Sequence, residues 1–132
     1  MKAILFKGKR KDNGEWIDGY LVKLGRESFS DPERYGICNK AVPLGGSGVY
    51  YNLKIDEVIP ETIGQYTGLT DKNGKKIFEG DIVKLDGTEI SQIRYCEGVY
   101  RLCNGNGYYG VSVHNHHSYV EVIGNIHDNQ NY

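Results

Sequence analysis

Three imidazoles fall within four residues at His114, His116 and His117, in the run HNHHSY. Neutral imidazole is a zinc ligand and titrates close to physiological pH. On a strand, alternation would turn His114 and His116 to one face and His117 to the other, so a metal would need a third ligand such as Cys103 or His127. The sequence places no acidic partner beside them. A solvated or inter-subunit surface strand explains the same cluster, and no metal or other cofactor is expected.

Two further runs resemble ligand loops only in part. DKNGKKIFE, residues 71–79, offers the oxygens of Asp71, Asn73 and Glu79. It is too short for an EF-hand, and its glycine sits at the fourth place rather than the sixth. GNGYYG, residues 105–110, spells the dinucleotide fingerprint, but VSVHN follows where a helix N-terminus would have to meet the pyrophosphate. The thiols Cys38, Cys96 and Cys103 have no CxxC spacing and no nucleophile motif around them. No catalytic residue is assigned, and the chain is expected not to be an enzyme.

Cations gather in KGKRKDNGEW, where Lys9 and Arg10 lie near Trp16, and again at Lys75 and Lys76. Small barrels bind single strands by stacking bases among such groups, which makes nucleic-acid binding the alternative function. Asp12, Glu15, Asp18, Glu79 and Asp81 are interleaved with these cations. Across the chain 16 Lys and Arg face 17 Asp and Glu, so no net field draws the molecule to polyanions or anionic lipid.

The elements that must carry these residues read as β. Eighteen Gly and 11 Tyr in 132 residues indicate tight turns joining strands whose half-buried faces Tyr covers. A hairpin is expected about Asn13-Gly14 as a type I′ turn, in which both central residues need positive φ. Residues 25–60 read as irregular. One helical turn signal lies at Asp31-Pro32-Glu33, and strand candidates follow in VYYNLKI and DEVI. From residue 63 onward, turns at Thr67-Gly68, Asp71–Gly74, Glu79-Gly80, Asp86-Gly87 and Glu97-Gly98 separate about five short strands, the pattern of a small barrel. The fold class is therefore mainly β, with an N-terminal hairpin and irregular segment over 1–62 and a barrel or roll over 63–132. NGEWIDGYLVK and NGKKIFEGDIVK echo each other, either as a repeat or as one local solution used twice. The N-terminal apolar run is too short for a signal peptide or a membrane span, so a cytoplasmic protein with no membrane partner is expected.

PETIGQYTGLTDKNGKKIFEGDIVK, residues 60–84, the near-terminal VEVIGNIHDN and the earlier NGEW resemble the YopX family of small proteins carried by bacteriophages and prophages. The resemblance implies a mainly β protein that self-associates and whose C-terminal part is SH3-like, and it supplies no catalytic residues. It points to an accessory protein of a phage or prophage in a bacterial host's cytoplasm, acting by protein contacts with itself and with other proteins. The contact candidates are Tyr66, Thr67, Asp71, Asn73, Tyr108 and Tyr109, with Tyr50 and Tyr51 beside another Gly-rich loop. Whether residues 63–85 are a folding corner or a contact surface turns on their exposure.

Overall fold

In the computed structural model the chain divides into two compact units, Met1–Gly64 and Gln65–Tyr132. Residues 4–43, 51–85, 89–104 and 109–128 are described below.

The first unit contains β1 (Phe6–Lys9), β2 (Trp16–Gly25), β3 (Arg34–Pro43) and β4 (Tyr51–Val58), then a single 3-10 turn at Pro60–Thr62. The strands are antiparallel in the order β4-β3-β2-β1. Past its last residue β1 meets the end of β4: Arg10 bridges Val58, the Lys11 N–H donates to the Glu57 carbonyl and the Ile59 N–H to the Lys9 carbonyl. Gly8 lets the backbone approach Val58, because a Cβ there would lie 3.1 Å from the Val58 Cβ.

The expected N-terminal hairpin forms, but not with a two-residue turn. Arg10 and Glu15 close a loop of four residues, and only Gly14 takes a positive φ, 73°. Asn13 instead accepts the Glu15 N–H on its Oδ1 at 2.9 Å, so its side chain rather than its φ makes the turn. The segment read as irregular is a correction: β3 is a ten-residue strand paired on both sides. Its Gly36, Asn39, Lys40 and Pro43 weaken any local strand signal, and pairing with two neighbours supplies what propensity lacks. The helical turn expected at Asp31-Pro32-Glu33 is absent; Glu33 pairs with Arg26 at 3.4 Å and Lys23 at 3.5 Å.

The remaining elements are β5 (Gly64–Thr70), β6 (Lys76–Phe78), β7 (Asp81–Leu85), β8 (Glu89–Cys96), β9 (Val99–Cys103), β10 (Tyr109–Ser112), α1 (Val113–His116), a 3-10 turn (His117–Tyr119) and β11 (Val120–Asn125). β5 and β6 form a hairpin, and the other five strands make an antiparallel sheet in the order β10-β9-β8-β7-β11. The mainly β reading holds, but this sheet is open, with β10 and β11 at its two edges, and does not close into a barrel. Alternation fixes which side chains go in: Ser91 and Ile93 on β8, Val120 and Val122 on β11. With Ile77, Val83, Leu102 and Val113, the three apolar members of that set build one core cluster, and Leu69, Leu85 and Tyr100 pack on it.

The type I′ geometry expected at Asn13-Gly14 occurs instead at Glu97-Gly98, with φ of 54° and 80° between the paired Cys96 and Val99. The Asp86-Gly87 turn lies outside the described residues. The two echoing runs fold differently. The first continues as one strand through Gly19, while in the second Gly80, at φ 92°, breaks β6 from β7.

Candidate functional site

The stretch 63–85 is held by two carboxylates. Asp71 is buried, and its Oδ1 accepts the backbone N–H groups of Asn73 (2.8 Å) and Lys75 (2.9 Å) while its Oδ2 accepts that of Val122 (2.9 Å). Burial alone would raise its pKa, but these three donors outweigh it and hold the carboxyl below its ordinary value. Those bonds tie the tight loop 71–75 to β11, and they occupy the Asp71 carboxylate, the first of the three oxygen donors that looked like part of a calcium loop. Asp81 is wholly buried; its Oδ2 accepts the Phe78 N–H at 2.8 Å and its Oδ1 the Asn125 side-chain amide at 2.9 Å. Asn125 in turn accepts the His127 N–H at 3.0 Å. The buried side chains of Asp71, Asp81 and Asn125 are thereby bonded to backbone groups or to one another.

The contact candidates on this stretch divide. Tyr66 is half-buried, its ring 5.4 Å from that of Phe78, and the Thr67 hydroxyl donates to the Ile77 carbonyl at 2.8 Å. Both help build the β5–β6 hairpin. Asn73, Lys75 and Lys76 are exposed at its tip. Residues 63–85 are thus a folding corner with a small polar tip. Tyr50 and Tyr108 lie outside the described residues, and of Tyr51 and Tyr109 only the backbone is described.

The histidines are on a helical turn, which corrects the strand reading. The Ser112 hydroxyl caps it by accepting the His114 N–H at 3.2 Å. At helical spacing residues two apart point about 200° from one another, so His114 and His116 do not share a face. The Nδ1 of His116 donates to the Ser112 carbonyl (3.1 Å) and that of His117 to the Thr70 carbonyl (2.8 Å), because a carbonyl can only accept. Among the described residues no group of three His, Cys, Asp or Glu side chains is placed to hold a metal.

The N-terminal cations of the alternative reading lie in partnered surroundings. Lys7 and Lys9, two apart on β1, set their ammonium groups 4.7 and 5.5 Å from the centre of the Trp16 ring. Arg10 pairs with Asp12 at 2.9 Å and with Asp56 at 3.4 Å. Glu57 accepts from Arg34 (2.7 Å) and Lys11 (3.0 Å), and these bonds, that from Arg34 first, lower its pKa to about 2.

A surface that sequence reasoning missed lies on the first unit's sheet. Tyr20 pairs with Cys38 and Cys38 with Ile55, so the three stand in a row across β2, β3 and β4 on one face. Leu53, two residues from Ile55, shares that face. Tyr20 is 59% exposed, Leu53 63% and Ile55 38%. Gly36, on the same face, leaves the space that the Ile55 side chain fills. The alternation of Leu53-Lys54-Ile55 was legible; that this face stays uncovered was not, because it depends on which strands pair.

These features define a small antiparallel β protein whose carboxylates are tied into turns and whose first unit carries an apolar sheet face. The chain belongs to the YopX family: the family model described as YopX protein matches residues 5–132. It is also similar to the crystal structure of protein EF1440 from Enterococcus faecalis, at 23% identity over 98% of this chain and 96% of that one, with a TM-score of 0.56. That likeness is one of fold. No curated protein matches the chain. No helix among the described residues is long and apolar enough to cross a membrane.

Proposed function

We propose that this is a non-enzymatic accessory protein of a phage or prophage, working in the cytoplasm of a bacterial host through contacts with further copies of itself and with other proteins. The observation that carries this reading is the row Tyr20, Cys38 and Ile55 with Leu53, an apolar surface on regular sheet rather than on a loop. Rigid sheet loses little conformational freedom on docking, and Tyr adds contact area at low entropic cost. The titratable groups support the same reading: Asp71, Asp81 and His117 are bonded to backbone or amide groups, as structural residues are.

The test is size-exclusion chromatography with light scattering on untagged protein, with absorbance recorded at 260 and 280 nm. A discrete oligomer free of nucleic acid is expected. The alternative, single-strand binding through Lys9, Arg10, Trp16, Lys75 and Lys76, draws on the two ammonium groups over the Trp16 ring. It requires a 260 nm absorbance that co-elutes with monomer and is lost steeply with added salt.

A further inference from the structure

β4 ends the first unit's sheet, and among the described residues no strand pairs with its outer edge before Glu57. Natural edge strands are kept short, bulged or broken by proline. β4 has none of these three features, and of the protective charges that edge strands also use it carries one lysine, Lys54, on the face opposite Leu53: it runs eight residues, carries no Pro, and the one register shift of its ladder lies on the β3 side, between Cys38 and Lys40.

The direction of its free groups follows from bonds already in place. The Glu57 carbonyl and the Ile59 N–H point away from β3, toward Lys11 and Lys9. A strand repeats every two residues. The N–H and C=O groups of Tyr51, Leu53 and Ile55 therefore point outward as well, while those of Asn52, Lys54 and Asp56 face β3.

We infer that this edge pairs with the same edge of a second copy, antiparallel about a two-fold axis through Leu53. The inference rests on the self-association reading above and names its surface. Every register centred on a residue keeps the apolar faces on one side; one centred on Asn52 pairs only Tyr51 with Leu53 among the described residues, and those centred on Ile55 and Lys54 fail. Centred on Ile55, the pairing would bring Leu53 of the second copy opposite Glu57, where Lys11 already holds the carbonyl. Centred on Lys54, it would set one ammonium directly against the other, a destabilising cross-strand pair. Centred on Leu53, it matches Leu53 with itself, Ile55 with the backbone of Tyr51, and Lys54 with Asn52. Each outward-pointing residue then exchanges both backbone bonds with its partner, and pairing stops one residue short of the position Lys11 occupies. The axis is normal to the sheet, so the rows Tyr20–Cys38–Ile55 of the two copies join into one apolar face around the paired Leu53 side chains.

A charge-swap pair tests this register. Leu53→Lys and Leu53→Glu each place like charges on the axis, and Leu53 is exposed enough for both variants to fold, which circular dichroism verifies. Sedimentation velocity is expected to show each variant alone associating roughly tenfold or more weakly than wild type, and an equimolar mixture recovering a dimer of one copy of each. Folded variants that still self-associate like wild type would overturn the edge pairing and leave the broader self-association reading standing, and so would a mixture that stays monomeric. Wild-type protein that is monomeric throughout would overturn both. If a Leu53 variant does not fold, Asn52→Lys reads the same register: it opposes Lys54 across the axis and weakens the dimer, and an unchanged dimer overturns the register.

Discussion

The two units differ in what they bury, although each also exposes large apolar side chains, among them Tyr20 and Leu53 in the first and Tyr95 and Tyr119 in the second. In the second, seven buried apolar side chains form one cluster, and the carboxylates of Asp71 and Asp81 go inside with it, each fully bonded. In the first, Ile37 and Val58 are the buried apolar residues among those described, while Tyr20, Leu53 and Ile55 lie outside and the half-buried Asp56 and Glu57 pair with arginine and lysine. A unit that covers little of its own apolar surface gains from a partner that covers the rest. On the proposed reading, the second unit supplies stability and the first the contact surface.

The largest effect that would sharpen this contrast is the loss of the Asp81 carboxylate. Asp81→Ala strands the Phe78 N–H and the Asn125 amide in the core and is expected to cost about 3 kcal/mol in urea unfolding, since each unsatisfied buried donor costs about 1–3 kcal/mol. A cost under about 1 kcal/mol would mean that the second unit does not depend on its buried carboxylates.

Acid comes next. The folded pKa of Asp71 lies below its ordinary value of 3.8, and that of Glu57 falls from 4.5 to about 2. In both cases the unfolded chain takes up the proton first as pH falls. The stabilisation is therefore fully present above the ordinary values and is lost as pH drops through the folded ones. Unfolding free energy should decline from pH 4.5 toward pH 2, and Glu57→Gln should make that decline shallower. A decline as steep in the variant as in wild type would remove the Glu57–Arg34 pair from the account.

The smallest expected change in stability belongs to the apolar face. Tyr20→Ser, at an exposed position, should alter unfolding free energy by no more than about 0.5 kcal/mol and yet weaken association in light scattering. A stability loss like that of Asp81→Ala would make Tyr20 part of a core and break the contrast between the units.

How far these features were legible in the sequence follows from their range. Turn chemistry is local, so Asn13-Gly14, Asp71–Gly74 and Glu97-Gly98 could be read as turns, although the type I′ geometry went to Glu97-Gly98 because Arg10 and Glu15 close a longer loop. β3 was missed because its strand character comes from its two neighbours rather than from Gly36, Asn39 or Pro43. The acceptor role of Asp71 toward its own turn was visible, but its bond to Val122, 51 residues away, was not. The strand reading of His114–His117 rested on extending a period of two past Ser112, where a capping hydroxyl starts a helical turn instead, and the barrel reading rested on about five short strands with tight turns, a pattern that an open sheet meets equally. The apolar row across Tyr20, Cys38 and Ile55 depends on register between three strands, which a single sequence does not encode locally.

The most direct test of the contrast is hydrogen–deuterium exchange of the intact wild-type protein at low and high concentration. The account predicts that amides of 51–55 gain protection as concentration rises while the exposed tip at 72–76 exchanges equally fast throughout. Concentration-dependent protection confined to 72–76 or to the histidine turn at 113–119, or none anywhere, would contradict it.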